Sequence, residues 1–189
     1  MSTLFIVDPQ YDFIEGGKLA IEGGQEALRN ICRYIKLNKA LIDEVVITVD
    51  WHPHNHCSFK EWPVHCVQHT KGAAIYEPLL NVLIYYNVPF RIVEKGTLKN
   101  EEAYCAFTYF GIEDVMGQKF HTLSTEGDYD ILLNTDKEFV FCGLAGDICV
   151  LDTMKELLDL KPILLANGVA CIDKYKLSKF ITDNNIKLK

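Results

Sequence analysis

The sequence predicts an α/β fold in which a parallel sheet is covered by helices on both faces. Five short apolar runs, rich in β-branched and aromatic residues, have the composition of buried strands. The segments between them space their apolar residues as helices do, and this alternation is typical of a parallel sheet. With 189 residues, 49% of them hydrophobic, the chain can bury a sizeable core. We expect one domain over 1–189.

The predicted elements follow one another along the chain. The strands are 3–7, 44–49, 90–93, 139–143 and 162–166. The helices are 23–40, 77–86, 101–110 and 146–160, and in the first of them one stripe holds Ala27, Leu28, Ile31, Cys32, Tyr34 and Ile35. Mixed signals over 111–136 predict a loop-rich or partly helical connection.

Composition excludes several classes of function. The net charge is −7 and the 19 Lys and Arg are scattered, so a nucleic-acid partner is not expected. No run of about 18 apolar residues occurs, and no basic segment precedes the short apolar stretch near the start, which argues against a membrane span or a signal peptide. Seven cysteines form no compact framework, which favours free thiols in a reducing compartment. We expect a cytoplasmic protein.

Reactive side chains follow three of the predicted strands. Asp8 ends the first, Lys95 the third, and Cys149 opens the helix after the fourth. Each alone has a structural explanation: a turn residue, a surface lysine, a packed cysteine. Because ligands of open parallel sheets bind beyond the carboxyl ends of the strands, we expect the three to meet at one edge. An acid, a cation and a thiol together suit nucleophilic acyl transfer.

Imidazoles and a carboxylate crowd the residues after the second strand. An aspartate with histidines, in place of four thiolates, favours an open divalent-metal site over a closed structural one. The candidate ligands are Asp50, His52, His56 and His65, with His54 at the rim and Cys57 and Cys66 as further soft donors. The alternative is a solvated histidine-rich loop that binds metal only adventitiously.

Five segments together resemble a known family. FIVDPQYDF, DWHPHNHCSF, WPVHCVQHTKGA, EKGT and GLAGDICV are similar to the signature segments of nicotinamidases, the metal-dependent members of the isochorismatase-like cysteine hydrolases. The resemblance extends from residue 3 to about residue 170. It implies a three-layer αβα fold with a six-stranded parallel sheet. It also implies hydrolysis of nicotinamide and pyrazinamide-like amides in NAD salvage.

The resemblance also implies a role for each matching position. Asp8 matches the general base, Lys95 its partner and Cys149 the nucleophile, with a cis peptide at Leu144–Ala145 beside them. The remaining matches are Asp50, His52 and His65 as metal ligands, His56 as a position that ligates in some members only, and Phe13, Trp62 and Tyr104 as contacts of the substrate ring. The ligand set favours zinc, with iron or manganese as alternatives.

The expected chemistry requires shifted pKa values. A thiol has a pKa near 8.5 and a carboxylate one near 3.9, a difference of about 4.6 units. Moving the proton from the thiol to the carboxylate would therefore cost roughly 6 kcal/mol. We expect Lys95 and the helix start to lower the pKa of Cys149, and burial to raise that of Asp8. Backbone N–H groups of Ala145 and Cys149 would hold the oxyanion.

Some positions depart from the family pattern. Gly146 stands where threonine is common, and His69 and Lys71 stand where glycine and often proline are usual, so we expect a freer loop and an altered rim. The other cysteines, Cys32, Cys105, Cys142 and Cys171, suit packing in helix or strand cores. The alternatives are a superfamily relative that acts on another carboxamide, ureido or vinyl-ether substrate, and a non-catalytic metal-binding protein. A homo-oligomer is left open.

Overall fold

A six-stranded, all-parallel sheet forms the centre of the protein and confirms the predicted fold class. The computed structural model describes residues 1–106 and 137–189. In spatial order the strands are β3-β2-β1-β4-β5-β6. Their bounds are Ser2–Val7 (β1), Ile42–Asp50 (β2), Phe90–Lys95 (β3), Glu138–Gly143 (β4), Ile163–Val169 (β5) and Lys187–Leu188 (β6). The order reverses direction between β1 and β4, where ligand sites of such sheets form.

Helices cover both faces of the sheet. They are Gly24–Asn38 (α1), Glu77–Tyr85 (α2), Cys149–Glu156 (α3) and Lys174–Asp183 (α4). Short 3₁₀ turns occur at Tyr11–Phe13, Lys39–Leu41, Cys57–Lys60 and Leu158–Leu160. Asp173 caps α4 by accepting the N–H groups of Tyr175 and Lys176. Within the two described ranges, no helix is long and apolar enough to span a bilayer.

The two faces of the sheet bury separate apolar cores. Leu4 and Ile6 of β1 pack with α1 and α2, whereas Phe5 and Val7 pack with α3 and α4. Phe5 stacks on Phe141 of β4 with ring centroids 4.6 Å apart. Because β1 is buried on both faces, its sequence is a continuous apolar run and does not alternate.

Some predicted elements differ from the structure. Residues 101–105 are irregular and not helical, since the Ala103 carbonyl accepts a hydrogen bond from Lys95 Nζ at 3.2 Å. Helix α3 begins at Cys149, because the Gly146 N–H instead donates to the Ala170 carbonyl at 2.8 Å. Cys105 and Cys171 lie in loops, not in helices or strands. The predicted connection over 111–136 lies outside the described residues.

The polar tail was not assigned to any element from the sequence, yet it forms α4 and β6. Leu177 and Phe180 bury one face of α4 against the sheet. Strand β6 then adds a two-residue edge to β5, in register from Ile163 opposite Lys187.

Candidate active site

The carboxyl ends of β1 and β3 and the start of α3 bring a carboxylate, an ammonium and a thiol together. Lys95 Nζ lies 2.8 Å from Asp8 Oδ2 and 3.6 Å from Cys149 Sγ. One oxygen each of Asp8 and Asp50, and the sulfur of Cys149, lie within 4.8 Å of one another. Asp8 has a positive φ of 48°, a strained conformation for a residue with a side chain. The sulfur and an Asp8 oxygen therefore lie within 4.8 Å of each other, a separation that one water bridges or a small approach closes for proton transfer.

Lys95 contacts three further acceptors besides its ion pair with Asp8. Its ammonium donates to Asp50 Oδ1 at 2.5 Å, to the Ala103 carbonyl and to Cys149 Sγ, which accounts for its three N–H groups. Asp8 Oδ1 accepts a hydrogen bond from Thr48 Oγ1 at 2.7 Å. Asp8 Oδ2 lies beside the ammonium but accepts no hydrogen bond within the described part of the chain. This oxygen is available to receive a proton.

Burial dominates the electrostatics of this cluster. It raises the pKa of Asp8 to about 6, although Lys95 acts in the opposite direction. Burial also raises the pKa of the Cys149 thiol well above its ordinary value, and the lowering by Lys95 is smaller. Lys95 lowers the pKa of the thiol as expected, but burial outweighs this effect, so the expected net lowering is wrong. For Lys95, burial opposes the charge, but Asp50 and Asp8 outweigh it and raise the pKa.

A second cluster lies against Asp50. The nearest donor atoms of Asp50, His52 and His65 lie within 4.8 Å of one another. Asp50 Oδ2 is 3.6 Å from His52 Nε2 and 3.7 Å from His65 Nε2. In both histidines Nδ1 donates its proton to a backbone carbonyl. The Nε2 atom, which faces Asp50, can therefore offer its lone pair to a metal. One carboxylate and two such imidazoles fit a divalent cation with open positions.

The structure places His56 beside this cluster and not in it. Its ring stacks on His52 with centroids 4.0 Å apart, and its Nε2 faces the Glu101 carbonyl at 3.0 Å. His56 forms a separate group with His52 and Glu102, whose donor atoms also lie within 4.8 Å of one another. His54 is exposed. In the described residues neither group contains Cys57 or Cys66.

A small cavity opens beside both clusters. Its aromatic walls are Phe13, Trp62 and Tyr104, and Trp62 Nε1 donates a hydrogen bond to Tyr104 Oη at 3.2 Å. Leu19 and Ile21 add apolar surface. The other lining residues are Asp50, His52, Ser58, His65, Glu102, Ala145, Ile148, Cys149 and Ile172. A small planar ring suits this lining of aromatic and apolar side chains with a few polar groups.

The turn before Cys149 supplies backbone donors to the cavity. The Leu144–Ala145 peptide is cis, and Ala145 and Cys149 both line the cavity. Within the described ranges, the N–H groups of Ala145 and Cys149 donate to no other backbone group, unlike those of Ile148 and Val150, which donate to the Ala145 carbonyl. These two N–H groups can hold an oxyanion.

Comparisons with known proteins point to one family. The chain is 31% identical to the nicotinamidase of Acinetobacter baylyi over 170 residues, covering 78% of this chain and 70% of that protein. It is 28% identical to the Escherichia coli nicotinamidase over 177 residues, covering 84% and 76%. No family model matches the chain. The chain belongs to the nicotinamidase family of isochorismatase-like hydrolases.

Solved structures agree with this assignment. The yeast nicotinamidase Pnc1p superposes with a TM-score of 0.76 at 26% identity, covering 100% of this chain and 99% of that one. The pyrazinamidase of Pyrococcus horikoshii, solved in complex with zinc, gives a TM-score of 0.71 at 29% identity, covering 100% and 98%. As a member of this family, the protein is a hydrolase that acts on a carboxamide.

Sequence reasoning missed two buried polar residues that support this nicotinamidase-family site. Asp12 Oδ2 accepts the backbone N–H of Cys66 at 2.7 Å, which anchors the turn next to His65. Gly72 fits closely over Asp12, because an added Cβ would lie 2.1 Å from the Asp12 carboxylate. Gln10 binds the backbone of Asp50. The available signal was the polar side chains at alternate positions 8, 10 and 12 directly after a buried strand.

The departures from the family pattern have different effects. Gly146 does not free its loop as expected, because it is buried and a Cβ there would lie 2.7 Å from Cys171 Sγ. His69 lies at the exposed rim with its ring edge against Trp51. Lys71 lies over the ring of Tyr11, 5.7 Å from its centroid.

Proposed function

We propose that this protein hydrolyses nicotinamide to nicotinate and ammonia through a thioester on Cys149. The observation that carries the proposal is the meeting of Asp8, Lys95 and Cys149 at one edge of the sheet, beside a small cavity with aromatic walls. Several small carboxamides would fit such a cavity. The similarity of the chain to nicotinamidases supports nicotinamide as the substrate among them.

The first half-reaction forms the thioester. As Cys149 Sγ attacks the carboxamide carbon, its proton passes to Asp8 Oδ2 and the carbonyl electrons move to oxygen. The N–H groups of Ala145 and Cys149 stabilise this oxyanion. Asp8 then protonates the amide nitrogen, the C–N bond breaks, and ammonia leaves. A carboxyl pKa of about 6 suits this double role, because such a group both accepts and returns a proton near neutral pH.

The second half-reaction restores the enzyme. Asp8 removes a proton from water as the oxygen attacks the thioester carbon, and the C–S bond then breaks to release nicotinic acid, which loses its proton to solvent and becomes nicotinate. The departing sulfur takes a proton from Asp8. Lys95, 3.6 Å from Sγ, stabilises negative charge on the sulfur in both steps, which opposes the effect of burial on the thiol pKa.

Asp50, His52 and His65 would hold a divalent cation, either zinc, iron or manganese. When bound, such a cation supplies a Lewis acid for a ring nitrogen of the substrate. The donor set of two free Nε2 atoms and a carboxylate supports this assignment, as does the zinc complex of the Pyrococcus pyrazinamidase. His56 stacks on His52 and fixes its ring, and Phe13, Trp62 and Tyr104 contact the substrate ring.

The wider setting is part of the same proposal. We place the reaction in pyridine-nucleotide salvage in the cytoplasm, with pyrazinamide-like amides as further substrates. Free thiols support a reducing compartment: all seven cysteines lie among the described residues and none forms a disulfide.

Ammonia release from nicotinamide tests the function. We expect release from the wild type, none above background from Cys149→Ala, and a much lower kcat/KM with benzamide, whose ring has no nitrogen. Equal release from Cys149→Ala would remove Cys149 as the nucleophile. Comparable kcat/KM for benzamide would remove the ring nitrogen as an anchor. Release from ureido substrates alone would favour another member of the superfamily.

A further inference from the structure

The side chain of Gln10 is fully buried and uses its whole amide on the backbone. Its Nε2 donates to the carbonyl oxygens of Asp50 at 2.7 Å and Ala73 at 2.8 Å. Its Oε1 accepts the N–H of Asp50, also at 2.8 Å. One amide therefore binds both backbone polar groups of a single residue, as a peptide group on a neighbouring strand would.

Gln10 acts where the main chain of β1 can no longer pair with β2. The last paired residues of the two strands are Val7 and Thr48, after which Asp8 turns away with its positive φ. The Asp8 N–H still donates to the Thr48 carbonyl at 3.0 Å, but two residues further along β2 the side chain of Gln10 pairs with Asp50. Without Gln10, the N–H and carbonyl of a buried residue would lose their partners on this side.

The position of Asp50 matters because its carboxylate serves both clusters. Oδ1 accepts the short hydrogen bond from Lys95, and Oδ2 faces the Nε2 atoms of His52 and His65. A small rotation of the Asp50 backbone would move both oxygens together. It would change the geometry of the imidazole pair and the direction of the ammonium that contacts Cys149.

We propose that Gln10 is a positioning residue, which holds Asp50 so that one carboxylate serves Lys95 and the imidazole pair at the same time. The inference rests on the proposed function, since it assigns Asp50 to a cation site and Lys95 to the chemistry. It makes a distinctive prediction. Loss of the Gln10 amide weakens cation binding and slows turnover together, although the side-chain hydrogen bonds of Gln10 go to the backbone and not to Lys95 or the imidazoles.

The test compares Gln10→Met, which keeps the length of the side chain and removes its three hydrogen bonds, with Gln68→Met. Gln68 is a matched control, because its Nε2 also donates to a backbone carbonyl, that of Trp51 at 3.0 Å, which lies next to Asp50. Its only contact with a proposed ligand among the backbone hydrogen bonds of the described residues is its N–H to the His52 carbonyl, which Gln68→Met keeps. Zinc affinity of EDTA-stripped protein is measured by competition with a chromophoric chelator. The kcat and KM for nicotinamide and the melting temperature are measured separately.

We expect Gln10→Met to lower zinc affinity about 10- to 100-fold, the range seen when residues that orient metal ligands are changed, and to lower kcat more than it raises KM. Gln68→Met should keep the wild-type zinc affinity and kcat. If Gln10→Met does not fold, Gln10→Glu replaces it, since the carboxylate keeps the acceptor for the Asp50 N–H and loses both donors. Zinc affinity should then fall relative to Gln68→Glu.

The outcomes separate the two proposals. A folded Gln10 variant with wild-type zinc affinity and kcat, whatever its melting temperature, would overturn the positioning role and leave the proposed function standing. A wild type that neither binds zinc nor releases ammonia would overturn the proposed function, and the inference with it. A melting temperature lowered alone would make Gln10 a purely structural residue.

Discussion

Asp8 and Asp50 are two aspartates at the same edge of the sheet, and they differ in affinity for protons. Each ends or follows a central strand, each is buried, and each lies within 3 Å of the same ammonium. Burial raises the pKa of Asp8 to about 6. Burial also opposes the charge on Asp50, but Lys95, His52 and His65 together outweigh it and lower the pKa of Asp50 well below its usual range.

The neighbours explain the difference. Asp50 receives the hydrogen bond of Lys95 and faces two imidazoles, whereas Asp8 has the ion pair with Lys95 and one hydroxyl partner, Thr48, and faces no imidazole in the described clusters. The ionised form of the same residue type is therefore favoured in one place, and in the other the carboxyl group has the raised pKa that the proposed proton transfer requires. Positive charge and burial, and not the type of side chain, assign these roles.

The largest expected effect comes from removing the thiol of Cys149, whose proton Asp8 would accept. Cys149→Ala deletes the nucleophile, so kcat for nicotinamide should fall by about 10⁴-fold or more. Zinc affinity should stay at the wild-type level, because the imidazole pair and Asp50 are unchanged. Steady-state ammonia release measures kcat, and competition with a chromophoric chelator measures the zinc affinity. A variant that also lost zinc would show that the thiol belongs to the cation site.

Asp8→Asn sharpens the comparison directly. The amide keeps the shape but cannot take a proton, so kcat should fall by about 10³-fold, within the range of general acid–base catalysis. Zinc affinity should be retained. Single-turnover rates with nicotinamide provide the measurement. Residual activity near that of the wild type would move the base to another residue.

Asp50→Asn is the same substitution at the second aspartate. It removes the anion that faces His52 and His65 and leaves the Lys95 charge with Asp8 alone. Zinc affinity should fall by at least about 10-fold and kcat should fall with it, in contrast to Asp8→Asn. Metal content after dialysis against zinc buffer measures the first effect. Unchanged metal content would contradict the assignment of Asp50 as a ligand.

The pH profile tests the raised pKa of Asp8. Asp8 must be ionised to accept the thiol proton, so kcat/KM should fall as the pH drops through about 6, and an ordinary carboxylate would give this limb near pH 4. Stability is followed over the same range by circular dichroism as the control. A profile flat down to pH 4 in folded protein would contradict the raised value.

The smallest expected effect concerns the wall of the cavity. Tyr104→Phe keeps the ring and removes the hydroxyl that accepts the Trp62 hydrogen bond. The loss of one such bond, on the order of 1 kcal/mol, should raise KM for nicotinamide about fivefold and leave kcat unchanged. Steady-state kinetics measure both constants. A large drop in kcat would give the Tyr104 hydroxyl a part in the chemistry.

Local sequence patterns predicted the fold and the meeting of Asp8, Lys95 and Cys149, because both follow from the period of each element and the parallel direction of the strands. The C-terminal tail was harder to predict. Strand β6 has two residues, both exposed, and so short an edge strand shows no hydrophobic period in the sequence. Glu101 and Glu102 have good helix propensity, but a tertiary hydrogen bond from Lys95 to Ala103 accompanies an irregular segment there.

The electrostatics and the support of the site could not be predicted in the same way. The pKa of Cys149 depends on burial by both halves of the chain, and the sequence indicated only the nearby cation. The binding of Gln10 to Asp50 spans 40 residues and depends on the turn at Asp8. A glutamine after a strand gives no sign of such a partner until the fold brings β1 and β2 together.

The claim that Asp8 carries the proton and Asp50 stays ionised can be measured directly. Carboxyl ¹³C NMR of aspartate-labelled, EDTA-treated protein, with Asp8→Asn and Asp50→Asn to assign the two signals, follows both groups through a pH titration. We expect the Asp8 signal to titrate near pH 6 and the Asp50 signal to show no titration down to about pH 4. An Asp8 signal that titrates like an ordinary carboxyl group, or an Asp50 signal that titrates near pH 6, would contradict the account.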